Sequence, residues 1–202
     1  MIHELVLATR NRHKAEELSA LLSDLGIRIR TIDEFPDAPD VVEDGSTCEA
    51  NAVKKARAIA EATGLPAVAD DTGLEVDALG GRPGVYAARY AGEHVTYEEN
   101  WRKLLKELAH VPQERRTARF LTVATLALPG NGVQVARGIL EGEIAEKPIG
   151  DHGFGYDPVF FVPELGKTLA ELTPEEKNRV SHRAKAFAQV RNMLITQAVH
   201  VQ

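Results

Sequence analysis

The run Ala118 to Leu128 is apolar on both of its alternating faces. Only a strand covered on each side by other layers can bury such a run. The turn residues Pro129-Gly-Asn-Gly132 lead it into a second strand, Val133 to Leu140, and a hairpin of this kind makes the sheet mixed rather than purely parallel. Other segments alternate between strand and helix. Ile2 to Ala8 and Ile27 to Ile32 read as strands, and from Ala15 the residues Leu18, Leu21, Leu22 and Leu25 recur at helical spacing until Gly26. Three capping-box patterns, Ser46 to Glu49, Thr96 to Glu99 and Thr173 to Glu176, open further helices. The first of these runs to Thr63, with Glu49 read as its capping acid, and the second carries Tyr97, Trp101, Leu104, Leu105 and Leu108 on an apolar face. The expected class is α/β.

Within that frame, Leu65-Pro-Ala-Val-Ala-Asp70-Asp71-Thr72-Gly73 predicts a short buried strand ending on two carboxylates, a hydroxyl and a glycine. Neighbours on a strand point to opposite faces, so Asp70 and Asp71 are expected to do different work. One reading makes the pair a strand-to-turn cap. The other gives one carboxylate a hard divalent cation and the other a proton taken from water. Leu74 to Leu79 then alternates as a half-buried strand, and Gly80 to Tyr90 reads as a glycine-punctuated loop or linker containing Arg89.

Composition narrows the partners. The 202 residues are 44% hydrophobic and 27% charged, enough to bury one real core. A net charge of -6 argues against binding a nucleic-acid polymer, which calls for a basic excess. The single cysteine, Cys48, excludes an intrachain disulfide and a cysteine-based zinc site. The start of the chain carries no basic leader and no segment approaches a membrane span, so a cytoplasmic location and no membrane partner are expected.

An anionic ligand therefore needs a local cation cluster, and the sequence offers candidates. Thr9-Arg10-Asn11-Arg12-His13-Lys14 lies between a strand and a helix start, where free backbone N–H groups receive anions. Cations there oppose the helix dipole and ask for an external reason, although a solvated loop with Asn11 as the helix cap accounts for the same residues. The glycines of a Walker loop are absent. Asn51 and Lys55 share one helical face, with Glu43 just before the cap. Gly153-Phe154-Gly155-Tyr156-Asp157-Pro158 brackets an aromatic ring with glycines. That suits either a flat nucleobase or a tight turn over a buried Phe. Lys177-Asn-Arg179-Val-Ser181-His182-Arg183 gathers cations and an imidazole ahead of a last helix bearing Phe187, Val190 and Leu194. It reads as a solvated face or as an anion site.

Taken in order, Thr9…Asn11…Lys14, Glu43-Asp-Gly45…Asn51-Ala-Val-Lys-Lys55, Ala69-Asp-Asp-Thr-Gly-Leu74, Gly80-Gly…Tyr90, Gly153 to Pro158 and Glu171 to Arg183 resemble the inosine triphosphate pyrophosphatase family over nearly the whole chain. The resemblance implies a single domain over residues 1–202: an elongated mixed β-sheet flanked by helices, in two lobes with an active-site cleft between them, usually as a homodimer. It implies a Mg2+-dependent hydrolase that cuts ITP, dITP and XTP between the α- and β-phosphates. Carried over by position, Asp71 is the proton acceptor and a metal ligand, with Glu43 and Asp70 as supporting acids. Thr9, Arg10, Asn11, Arg12, His13 and Lys14 match the phosphate loop, and Asn51 and Lys55 stand near the phosphates. Thr72, Phe154, Gly155, Tyr156, Asp157, Lys177, His182 and Arg183 match substrate contacts, the last two near the base. Arg10 stands where the family has glycine, Ala50 where it has an acid, and Thr72 where serine is commoner. Two rivals are a pyrophosphatase of broader or canonical range and a nucleotide sensor without turnover.

Overall fold

The structure, a computed structural model, describes residues 2–130 and 132–199. The first strand, β1 (Glu4–Leu7), buries Leu5, Val6 and Leu7 completely. Helix α1 (Arg12–Leu22) begins ahead of the leucine spacing that starts at Ala15, at the Asn11 cap weighed above, whose side chain accepts the Lys14 N–H at 3.3 Å. The polar residues of that first turn give no apolar periodicity, so the spacing of leucines misses it. Strand β2 (Arg28–Thr31) pairs parallel with β1 after Gly26 reverses the chain at φ +65°.

Helix α2 (Cys48–Thr63) is capped by Thr47, whose hydroxyl accepts the Ala50 N–H. The predicted box from Ser46 to Glu49 is thus displaced by one residue, and Glu49 pairs with Arg137 instead of closing the cap.

The largest correction concerns β3 (Ala67–Val76), a continuous strand of ten residues. The expected stop at Asp70 to Gly73 does not occur. β1 pairs with its start at Ala67 and Val68, and β4 (Pro83–Gly84) pairs antiparallel with Leu74 and Glu75 further on. Ladder bonds thus hold the strand on either side of the acidic pair. The predicted second strand shortens accordingly: Asp77 to Leu79 forms a 3-10 turn ended by Gly80 at φ +64°.

Helix α3 (Tyr97–Glu107) has the predicted capping box, with Thr96 and Glu99 bonding each other's backbone. The apolar run becomes β5 (Thr117–Ala127), buried at every position from Thr122 to Ala127 as a central strand must be. β6 (Val133–Ile144), β7 (Phe160–Val162) and β8 (Lys167–Thr168) follow, then α4 (Pro174–Val180) behind the expected Thr173–Glu176 box, and α5 (His182–Val199). Among the described residues the sheet has eight strands in the order β2-β1-β3-β5-β6-β7-β8, with β4 on β3. Parallel β1–β2 and β1–β3 pairs beside antiparallel β3–β4, β6–β7 and β7–β8 pairs make it mixed, and the class is α/β.

The chain divides into two compact units, with the boundaries falling inside β3, β5 and β6. The first holds residues up to Asp71, residues 122–138, and those from His182 onward. Its strands bury alternate residues on opposite sides. Leu5, Leu7 and Val68 pack with Leu18 of α1 and Phe187 of α5, whereas Val6, Ala67 and Ala69 pack with Ala56 and Ile59 of α2. The second unit, residues 72–121 and 139–181, centres on Leu74, Leu104, Phe120, Ile144 and Phe160. Trp101 packs against that core as expected, but Tyr97 lies off it and is 39% exposed. Among the described residues no helix is long and apolar enough to cross a membrane.

Candidate active site

The alternation along β3 decides where its two acids go. Asp70, in step with Val68, belongs to the side covered by α1 and α5; Asp71, in step with Ala67 and Ala69, belongs to the side covered by α2. Their partners follow that division. Asp70 Oδ2 meets Lys14 Nζ of α1 and Arg183 Nε of α5, each at 3.2 Å. Asp71 Oδ2 accepts a hydrogen bond from Asn51 Nδ2 of α2 at 2.9 Å. Lys55, one turn beyond Asn51, donates to the Asp70 carbonyl and to Glu43 Oε1, both at 2.7 Å.

Burial then separates the two carboxyls chemically. For Asp70, desolvation would raise the pKa, but Lys14, Arg183 and Lys55 together outweigh it and hold the carboxyl well below its usual range. For Asp71 desolvation wins over the pull of Lys14 and Lys55, and the carboxyl is raised. So the first is a fixed anion and the second the better proton acceptor. Desolvation also lowers Lys14, with Asp70 pulling the other way, while Lys55 is raised because Asp70 and Glu43 overcome its burial.

Asn51 is aimed by its other end: its Oδ1 accepts the Gly45 N–H at 2.8 Å, which turns the amide nitrogen to Asp71. A Cβ at Gly45 would stand 2.6 Å from that Oδ1 and 2.9 Å from the Ala50 Cβ. Gly45→Ala is therefore expected to displace Asn51 and lower kcat on the order of tenfold, the worth of one hydrogen bond to a charged group. Steady-state turnover beside a thermal melt checks this, and native turnover would contradict it.

The remaining residues of the first loop are placed differently. Asn11 caps α1 and Thr9 Oγ1 accepts the Asn11 N–H at 3.2 Å. Arg10 pairs with Asp40 at 2.7 Å and Asp33 at 3.7 Å, Arg12 with Glu16 one turn on, and His13 is exposed. Lys14 of this loop pairs with Asp70 of β3. His182 is buried, its Nδ1 2.6 Å from Thr122 Oγ1. Arg183 is buried too, joining Asp70 to Glu17 Oε2 at 2.6 Å. Glu17 escaped the sequence reading, although it lies on α1 one turn beyond Lys14.

The second unit places Thr72, half-buried, and the aromatic loop. Asp157 Oδ2 accepts the Phe154 N–H at 2.8 Å and Lys177 Nζ at 2.5 Å. Lys177 is buried, with its ammonium 4.8 Å from the centre of the Phe154 ring. Gly153 takes φ +76°, and a Cβ there would lie 2.1 Å from Asp157 Oδ2, so no other residue fits without moving the carboxylate. Tyr156 is buried and donates to the Ala87 carbonyl at 2.8 Å. Gly155, at φ +66°, has open space where a side chain would stand.

Comparison with known proteins places the chain in a family. The profile of the Ham1 family matches residues 5–193. A protein of Geobacillus kaustophilus named dITP/XTP pyrophosphatase is 54% identical over 93% of this chain and 92% of its own. One of the same name from Geobacter sulfurreducens is 51% identical over 96% and 98%. Among solved structures, a HAM1 protein from Coxiella burnetii superposes with a TM-score of 0.87 at 44% identity, covering 97% of this chain and all of its own.

Proposed function

Because the chain belongs to the Ham1 family, we propose that it hydrolyses the non-canonical purine nucleoside triphosphates ITP, dITP and XTP to the monophosphate and pyrophosphate. The observation that carries this reading is the buried Asp71 carboxyl, bonded by Asn51 and raised in pKa by desolvation against the pull of Lys14 and Lys55. Half or more of the residues are shared with two proteins named dITP/XTP pyrophosphatase.

The chemistry follows from charge. A triphosphate repels hydroxide until its oxygens are neutralised. Lys14 and Lys55 supply positive charge at the acidic pair, and Asp70 fixes Lys14 in place. Asp71 takes the proton of the attacking water. An aspartate of ordinary pKa near 4 is a feeble base at neutral pH, and burial moves Asp71 in the useful direction. In the second unit, the half-buried Phe154 ring offers a face on which a purine can lie.

Magnesium belongs to this proposal. The donors at hand, Asp71, Glu43 and Asp70, are all carboxylate oxygens, the type a hard divalent cation takes. Mg2+ commonly uses one or two carboxylates with substrate phosphates and water completing its shell. Asp70 already neutralises Lys14 and Arg183 and is fully buried, so Asp71 is the better-suited ligand, with Glu43, which shares its charge with Lys55 but is more exposed, as the second. Among the described residues no three His, Cys, Asp or Glu side chains group as a preformed site. When bound, the ion would supply positive charge to phosphate oxygens and acidify water. A homodimer, supported by the resemblance, and a cytoplasmic location, the expectation from the sequence, complete the reading.

The test is product analysis with ITP, XTP and ATP. Pyrophosphate is expected from ITP and XTP in the presence of magnesium, with turnover abolished by EDTA and restored by added metal. Equal cleavage of ATP would favour the broader pyrophosphatase, binding without turnover the sensor, and release of single phosphates would sink the reading.

A further inference from the structure

We propose that Tyr97 is a positioning residue for the purine ring, acting through Phe154; this rests on the nucleotide reading above. The Phe154 backbone is held by the Asp157 carboxylate, which Lys177 anchors in turn. Its ring is a separate matter, since χ rotations remain after the backbone is fixed. Two groups approach that ring: the Lys177 ammonium at 4.8 Å and the Tyr97 ring, 5.8 Å between centres and tilted by 44°. That separation and tilt fall in the favourable range for an aromatic pair.

Tyr97 is itself well anchored. It is the first residue of α3, immediately after the Thr96 cap whose box closes on Glu99. Asn100, one turn further, is buried and ties the helix to the neighbouring segment, accepting the Ala91 N–H at 2.8 Å and donating to the Ala88 carbonyl at 3.0 Å. Tyr97 is also 39% exposed, more than the Trp101 that packs on the core one turn further along α3. Tyr97 can act as a rigid prop for Phe154, and a ring already ordered loses less freedom when a flat ligand lies on it.

The consequence is an effect on affinity rather than on turnover. Tyr97→Ala is expected to raise KM for ITP roughly two- to tenfold, the cost of ordering one side chain on binding, with kcat unchanged and the protein still fully folded at the assay temperature. Tyr97→Phe keeps the ring and should restore the native KM. Calorimetry gives a readout that a general structural defect would not mimic: inosine monophosphate should bind more weakly to the Ala variant, inorganic pyrophosphate equally well. A native KM in Tyr97→Ala overturns the proposal. So does a raised KM in Tyr97→Phe, which would mean a hydroxyl contact, or weakened pyrophosphate binding. Failure of the underlying reading shows separately, as a native protein that binds inosine monophosphate yet releases no pyrophosphate from ITP. A native protein that binds no purine nucleotide overturns both.

Discussion

The Asp71→Asn protein is expected to lose kcat by about a hundredfold to ten-thousandfold, the usual worth of a positioned general base, while remaining folded. The two halves of that expectation come from different contacts. Loss of turnover follows because an amide cannot take a proton from water. Retention of the fold follows because no cation is orphaned: Lys14 keeps Asp70, and Lys55 keeps Glu43 and the Asp70 carbonyl. The amide oxygen at position 71 can still accept from Asn51 Nδ2, and a neutral group at a desolvated position avoids the cost of burying charge. Stability should therefore shift by roughly 1 kcal/mol or less. Pyrophosphate release from ITP measures the first half and a urea titration the second. Native turnover in a folded variant would remove Asp71 from the chemistry.

That same acidic pair marks the limit of what local sequence can say. Asp-Asp-Thr-Gly has the composition of a turn, and a turn is what it predicts. It is strand because the groups that neutralise Asp70 come from far along the chain, Arg183 being 113 positions away. Without those partners a buried acid would be untenable. Glu49 teaches the same lesson. Its spacing from Ser46 satisfies the capping pattern, but the hydroxyl one residue on, Thr47, takes the cap, and the acid goes to Arg137, 88 positions away. Features set by short-range physics were legible: the boxes at Thr96 and Thr173, the glycine after α1, the central strand, and the placement of Asn51 and Lys55 on one face of α2. Tyr97 lies between the two cases. Periodicity puts it on the apolar stripe, but the residue is 39% exposed, and its ring contact with Phe154 is set by a loop far along the chain.

Arg183→Ala is expected to destabilise the protein by about 3 to 5 kcal/mol, the cost of removing one member of a buried ion pair. Its guanidinium reaches two acids at once, Asp70 through Nε and Glu17 through Nη1, and its side chain is 3% exposed. Arg183 carries its charge throughout, since Asp70 and Glu17 raise its pKa against the opposing effect of burial. Two features pull the loss toward the lower end of the range. Lys14 remains on Asp70, and Glu17, 17% exposed, can recover water. Lysine has one ammonium where arginine has a fork, so Arg183→Lys can serve one of the two acids and should fall between native and alanine. A urea titration of the three proteins orders them. An alanine variant as stable as native would show that the Glu17–Arg183–Asp70 chain contributes nothing. The size of this effect governs how base selectivity must be tested at the same residue. A fall in ITP turnover on losing Arg183 is expected from partial unfolding alone. Only a change in the ratio of ITP to ATP turnover, measured where the variant is still folded, would mean that Arg183 reads the purine. An unchanged ratio would leave it the residue that joins α1 and α5 to β3.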